Sequence, residues 1–206
     1  IARRAIESEG AKPSFLGLYG FPATACISIN EEIVHGIPGD RVVQSGDLVT
    51  LDCGAVVDGY NSDYAVTKVT GTSTDAKDDL IDTTRASLEM GIRAARPGNR
   101  VGDISNAIES HVLPKSYELV REYVGHGIGK NLHEPPQIPN FGPAGHGLEL
   151  RAGLVLAIEP MVNAGGGKTR MLDDGWTIVT EDSTLSCHFE HTVAITEDGP
   201  VVLTVE

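Results

Sequence analysis

The sequence predicts an α+β fold: one domain made of two related halves, approximately residues 1–72 and 73–206. Three observations predict it. Strand-like stretches broken by Gly and Pro occupy both ends of the chain, with two helical patterns between them. Asp58-Gly59, flanked by Leu48 to Val57 and Tyr60 to Val69, is the strongest short hairpin signal. There is also an internal repeat. Gly46-Asp47-Leu48-Val49-Thr50-Leu51-Asp52 matches Gly153-Leu154-Val155-Leu156-Ala157-Ile158-Glu159, each with an acid six residues after the Gly. Asp63 to Thr70 then aligns with Glu190 to Thr196, again an acid leading a β-type run. Either match alone is ordinary among strand patterns, but two in the same order point to two copies of one unit, each contributing two acids.

Taken in order, Ile1, Ala5 and Ile6 sit at helical spacing with Gly10 in the stop position, so residues 1–10 read as the tail of a helix. From about Phe15 to Asn30 the pattern is of short strands and turns. After the hairpin, a helix is expected from about Asp75 to Ala95, closed by Pro97-Gly98, and a second from about Val101 to Val112, closed by Pro114. From Tyr117 onward the chain reads as strands again. A length of 206 residues suits one domain with a substantial core.

Composition removes several functions. Lys and Arg total 16 against 29 Asp and Glu, a formal charge of −13 and the wrong sign for neutralising phosphates, so no direct nucleic-acid or anionic-membrane binding is expected. Hydrophobic content of 40% and charged content of 22% are those of a globular chain rather than a disordered one. No apolar run approaches the length of a membrane span. Cys26, Cys53 and Cys187 lack metal-finger or redox spacing and suit reduced thiols in the cytoplasm. No signal peptide is visible. The chain opens Ile1-Ala2-Arg3-Arg4 without Met, which reads as a processed, trimmed or partial chain.

The acids and histidines carry the chemistry. With Asp58 and Gly59 as the turn, Val57 pairs with Tyr60 and Gly54 falls opposite Asp63, so Asp52 and Asp63 share one face as diagonal neighbours. Gly54 is expected to leave the space between them open. The strand around Asp52 is apolar at both parities, as in a strand covered on both sides, and an acid there needs a partner. Glu159, after Leu154-Val155-Leu156-Ala157-Ile158, presents the same anomaly. His126 lies between Gly125 and Gly127, His133 follows seven residues later, and His35 has a similar Gly and Pro setting. Any one of these alone would read as a turn histidine rather than a catalytic one. Four acids in duplicated positions with glycine-flanked histidines form an oxygen-rich set that suits a pair of divalent first-row ions better than structural zinc. Such a pair activates a shared water for hydrolysis.

Cys26-Ile27-Ser28-Ile29-Asn30-Glu31-Glu32-Ile33-Val34-His35-Gly36-Ile37-Pro38, Gly125-His126-Gly127-Ile128-Gly129, Ile158-Glu159-Pro160-Met161-Val162-Asn163-Ala164-Gly165, Asp174-Gly175-Trp176-Thr177 and Phe189-Glu190-His191-Thr192 carry a family resemblance. In order, from about Phe15 to the C-terminus, the chain resembles the type I methionine aminopeptidases of the pita-bread metallopeptidase family. The resemblance implies the pita-bread (creatinase/aminopeptidase) fold: a curved antiparallel sheet with helices on its outer face, in two pseudo-symmetric halves. It implies removal of initiator methionine from nascent proteins and peptides with a small second residue, through a hydroxide bridging two divalent ions, Co, Mn, Fe or Zn. The implied ligands are Asp52, Asp63, His126, Glu159 and Glu190: Asp63 and Glu190 bridge, Asp52 holds one ion, and His126 with Glu159 holds the other. Glu159 is also the general base, His133 stabilises the oxyanion, and His35 contacts the scissile amide or leaving amine. The methionine pocket falls on Phe15, Leu18, Phe21, Cys26, Leu132 and Trp176. A monovalent cation, Na or K, is implied at the backbone of Asn30 and Glu32 with Ser186. The implied partners are nascent N-termini near the ribosome, and the full-length family is expected to be monomeric.

Two departures stand out. Where the family usually has Gln, this chain has His188, on the same strand face as Glu190 by alternation. It either adjusts the charge or metal preference of the site or replaces the Gln as a hydrogen-bonding group. His191 has the opposite parity and faces away, and His111 and His146 fall outside the site. The family also begins with a long helix and a further helix before the segment matching Ile1 to Gly10. One sheet face of the first half is therefore expected to lack cover, through missing residues or to be met by association with a partner subunit. Two alternatives remain: an X-Pro aminopeptidase or prolidase-like peptidase, which usually carries a large extra N-terminal domain, and a non-catalytic peptide- or protein-binding paralogue, which typically loses ligands.

Overall fold

The computed structural model describes residues 1–205. Helix α1 (Ala2–Ser8) buries no side chain and stops before Gly10, whose φ of 77° turns the chain. Strand β1 (Lys12–Pro13) follows, then a 3-10 turn at Leu18–Gly20, β2 (Cys26–Ile29) and β3 (Glu32–Val34). The hairpin region yields β4 (Leu48–Asp52), β5 (Ala55–Val57), β6 (Tyr60–Ser62) and β7 (Tyr64–Val69). After α2 (Asp75–Ala94) and α3 (Val101–Val112) come β8 (Glu118–Leu119), β9 (Gly125–Gly127), β10 (Glu134–Ile138), β11 (Val155–Ile158) and β12 (Met161–Asn163). The chain ends with β13 (Thr169–Met171), β14 (Ile178–Thr180), β15 (Ser186–His188), β16 (Glu190–Thr196) and β17 (Gly199–Val202).

The helices form where the pattern places them because their ends are chemically marked. Thr74 caps α2 and Asp75 and Asp78 occupy its first turn, favourable against the helix dipole. Asp103 accepts a hydrogen bond from the Arg100 backbone N–H at the start of α3. The two helices pack on each other and on the outer side of the sheet, where Leu80, Leu88, Ile104 and Ile108 share one core with Leu156, Ile158, Val193 and Ile195. Alternation then sends Ala157, Glu159, Glu190 and Thr192 to the opposite side.

The main sheet has eight antiparallel strands in the order β10-β9-β11-β16-β7-β4-β2, with β17 also on β16. The two repeat units are its two central pairs: β4 with β7 in the first half, β11 with β16 in the second. They join where Ala65 pairs with Glu190 and Tyr64 with His191. This is the pita-bread architecture, one curved antiparallel sheet with helices on its outer face.

The hairpin differs from the expected pair of long strands. Its ladder breaks at Cys53 and Gly54, and the outer part, β5 and β6, leaves the main sheet to pair with β1. Residues 15–30, read as strands and turns, give only β2 and the 3-10 turn. Cover is uneven between the halves. Leu51, on the outer side of β4, is 42% exposed, while Ile158 at the matching place in the second copy is 0% exposed beneath the helices.

Candidate metal centre

Asp52 and Asp63 come together through the register of one ladder. Val57 pairs with Tyr60 and Ala55 with Ser62, and beyond the break Asp52 pairs with Ala65 and Leu48 with Val69. The break therefore slips no residue, and Gly54 stands opposite Asp63 as the sequence predicts. The expected role of Gly54 is corrected, however. A Cβ there would lie 2.9 Å from Phe15 Cε1 and 2.8 Å from the Ser62 carbonyl oxygen, so the glycine admits the Phe15 ring and does not leave open space between the acids.

Asp63 sits at the interruption, where its backbone has no ladder partner. Thr192 from the second copy supplies one: its Oγ1 accepts from the Asp63 N–H and donates to the Asp63 carbonyl, both at 2.8 Å. Glu159 follows the last residue of β11, and Asn140 Nδ2 donates to its carbonyl at 3.0 Å. His126 lies in β9, where a Cβ on Gly127 would strike the Pro135 carbonyl, so only glycine lets the neighbouring strand approach. His126 Nδ1 lies 2.9 Å from the Gly127 carbonyl oxygen, which fixes the proton on Nδ1 and leaves Nε2 free toward Glu159 Oε1, 3.5 Å away.

The electrostatics are those of an anionic cluster without its counter-charge. Burial, with the charges of Asp63 and Glu159, drives the Asp52 carboxyl well up from its ordinary range. Burial followed by Asp63 does the same to Glu159, and burial followed by Asp63, Glu159 and Asp52 to Glu190. Burial raises Asp63 to about 7, against the lowering pull of the Tyr64 N–H and of Asp52. Among the described residues, the basic groups within 4 Å of these carboxylates are His126 and His188, both on Glu159. Burial lowers His126 to about 4 and His188 to about 3, so neither brings a positive charge at neutral pH.

These residues fit divalent ions. Asp52 Oδ1 and Glu190 Oε1 are buried with no hydrogen-bond partner among the described residues, a costly state that a bound cation relieves. Asp63, His126 and Glu190 offer ligand atoms within 4.8 Å of one another, and so do Glu159, His188 and Glu190. Glu190 is common to both groups. Asp52 belongs to neither but lies beside Asp63 in the same pocket.

That pocket, about 140 Å³, brings all the expected pocket residues together: Phe15, Leu18, Phe21, Cys26, Leu132 and Trp176, with His35 and His133. The Phe21 and Trp176 rings meet edge to face at 5.1 Å. Asp174 holds the Trp176 loop by accepting from the Trp176 and Thr177 N–H groups. A wider cleft of about 490 Å³ continues past His35, His126, His133, Glu159 and His188. His35 itself has a φ of 61° and packs edge-on against Tyr123. His191 faces away, against Tyr64, and His146 lies in an exposed loop. At the corner read as a monovalent cation site, the Ser186 N–H donates to the Asn30 carbonyl, and the Glu32 carboxylate accepts from Ile29 and pairs with Arg41.

Three contributors escaped the sequence reading. Tyr19 forms the pocket rim, 78% exposed and stacked on His133 at 6.1 Å. Its setting between Gly17 and Gly20 is the signal that singled out His126. Tyr123 lines the cleft two residues before Gly125, and Thr192 supports Asp63 where the first copy has only Ala65.

Residues 2–197 match the model of metallopeptidase family M24. The chain is 50% identical over 204 residues to methionine aminopeptidase 1 of Bacillus subtilis, covering 99% of this chain and 82% of that one. It is 48% identical over 212 residues to methionine aminopeptidase 1 of Mycobacterium tuberculosis, covering all of this chain and 80% of the relative. The solved methionine aminopeptidase of Thermotoga maritima superposes with a TM-score of 0.97 at 44% identity, over 98% of this chain and 82% of that one. The prolidase of Pyrococcus horikoshii, at 24% identity and a TM-score of 0.69, covers 88% of this chain and 47% of its own, and shares the fold.

Proposed function

This chain belongs to metallopeptidase family M24, and from that membership and the site we infer a metal-dependent aminopeptidase that removes N-terminal methionine. One observation carries the reading. Asp52, Asp63, His126, Glu159 and Glu190 border the same pocket whose other walls are aromatic rings, Leu18, Leu132 and the Cys26 side chain. A methionine side chain packed on Phe15, Phe21 and Trp176 gains sulfur–aromatic contact and leaves its own amide carbon beside the carboxylates.

We infer that those five residues would hold divalent ions. The donor set suits Mn, Fe, Co and Zn alike. When bound, such ions polarise the scissile carbonyl and lower the pKa of water at the site. Glu159 takes the proton of the attacking water on a carboxylate oxygen and passes it to the departing amine. His133 and His35 are kept neutral by burial, and each therefore acts as an N–H donor, His133 toward the developing oxyanion and His35 toward the scissile amide or leaving amine. A Na or K ion at the backbone of Asn30 and Glu32 with Ser186 completes the assignment.

The substrates in this reading are nascent chains with a small second residue, met near the ribosome in the cytoplasm. Free thiols at Cys26, Cys53 and Cys187 support a reducing compartment, and no described helix is long and apolar enough to cross a membrane. Incubation with Met-Ala-Ser and Met-Leu-Ser peptides and added Co(II) or Mn(II) tests the reading. Metal-dependent release of methionine is expected from the first and far less from the second; no metal-dependent release from either overturns it. Metal analysis after dialysis separates this enzyme from a binding paralogue, which retains no stoichiometric ion.

A further inference from the structure

We propose that His188 is a sixth protein ligand of the metal centre, bound through a ring nitrogen to the ion held by Glu159 and Glu190. The proposal rests on the metallopeptidase reading above. His188 is 1% exposed, and its backbone is fixed on both sides. It pairs with Met161 across β12, and the Thr67 hydroxyl donates to its carbonyl at 2.6 Å and accepts from its N–H at 3.1 Å. Its neighbours Cys187 and Phe189 face the apolar core, so alternation aims His188 and Glu190 together into the site.

Among the described residues, neither Nδ1 nor Nε2 of this ring has a hydrogen-bond partner. A buried imidazole in that condition needs an explanation. The simpler role, a hydrogen bond replacing the usual Gln, fails on distance: Nε2 lies 3.8 Å from Glu159 Oε2, beyond hydrogen-bond reach. The same separation suits two ligands of one ion, because atoms each about 2.1 Å from a metal lie at most roughly 4.2 Å apart. A ring nitrogen of His188 and oxygens of Glu159 and Glu190 lie within 4.8 Å of one another. Glu159 then stands between two imidazoles, Oε1 toward His126 and Oε2 toward His188. The second nitrogen donor shifts an otherwise oxygen-rich set away from Mn(II) and toward Zn(II).

The test is proton NMR of the full chain loaded with Co(II), counting the paramagnetically shifted, solvent-exchangeable ring N–H resonances of cobalt-bound histidines. Two are expected in the native protein and one in His188→Gln, with His188→Asn as the second variant where the first does not fold. One resonance in the native protein, or two in a folded variant, overturns the proposal. A native chain that retains no Co(II) overturns instead the metallopeptidase reading beneath it, an outcome distinct from a single resonance. By competition titration, His188→Gln is expected to weaken Zn(II) by at least the roughly 10–100-fold that loss of a supporting group costs, and Mn(II) less. Equal losses for the two ions count against a nitrogen ligand.

Discussion

Glu159 lies 3.5 Å from His126 Nε2 and 3.8 Å from His188 Nε2, at the end of a strand whose other side is apolar core, and its carboxyl is pushed toward the neutral form. A base in that position is separable from its shape. Glu159→Gln is expected to lower kcat on Met-Ala-Ser by about 10²–10⁴-fold while thermal unfolding of the metal-free protein changes little. A variant that keeps native turnover removes Glu159 from the proton transfer. The same burial makes the metal-free protein sensitive to pH. Asp63 rises from an ordinary 3.8 to about 7, so folded protein binds its proton more tightly than unfolded chain does. That contribution is complete below about pH 4 and is lost as pH rises through 7. Divalent ions replace the proton, so the gap in Tm between metal-loaded and chelator-treated protein should widen between about pH 5 and pH 8. A gap constant across that range contradicts the account. At this scale Asp52 and Asp63 were legible because hairpin register is arithmetic, and His126 because glycines flanked it. Tyr19 was not, because stacking on His133 depends on a loop conformation with a φ of 50° that no periodicity encodes.

Between elements, one hydroxyl extends the ladder that joins the two repeat units, beyond the Ala65–Glu190 pair. The ladder that carries Asp52 stops short of Asp63, and Thr192 of β16 satisfies both backbone groups of Asp63 across the sheet centre. Thr192→Val keeps the shape and removes both bonds. The expected cost is about 1–3 kcal/mol in urea unfolding, with weaker Co(II) binding by titration because Asp63 loses its anchor. Unchanged stability and unchanged metal affinity would show that the backbone there finds other partners. Helices α2 and α3 were legible to within a residue at their ends because helical spacing and the stops at Pro97-Gly98 and Pro114 are local signals. The hairpin was legible only in its register. That its outer half turns away to pair with Lys12 and Pro13 depends on a contact between segments far apart in the chain, which alternation within one strand does not specify.

For the whole molecule, the repeat makes two strand pairs alike in sequence pattern and leaves them unequal in burial. Leu51 and Ile158 each precede a site acid by one residue and point to the outer side of the sheet. The helices α2 and α3 seal Ile158 completely, whereas Leu51 stays 42% exposed, with Val201 and Leu203 of the C-terminal segment also open to solvent. A sequence repeat reports that two strands are alike; it says nothing of which one a helix lands on, and that asymmetry emerges only when the sheet is assembled. The energetic consequence is direct. Ile158→Ala removes a side chain from a sealed core and should cost about 2–5 kcal/mol. Leu51→Ala removes one already half in water and should cost under about 1 kcal/mol. Urea unfolding of the metal-loaded protein measures both, and similar losses at the two positions would mean that the outer face of the first half is covered in solution. Leu51→Lys supplies the complementary reading. If a second copy covers this face, the variant should scatter less light than the native protein at equal concentration and retain its peptide turnover, because the side chain points away from Asp52 and the site.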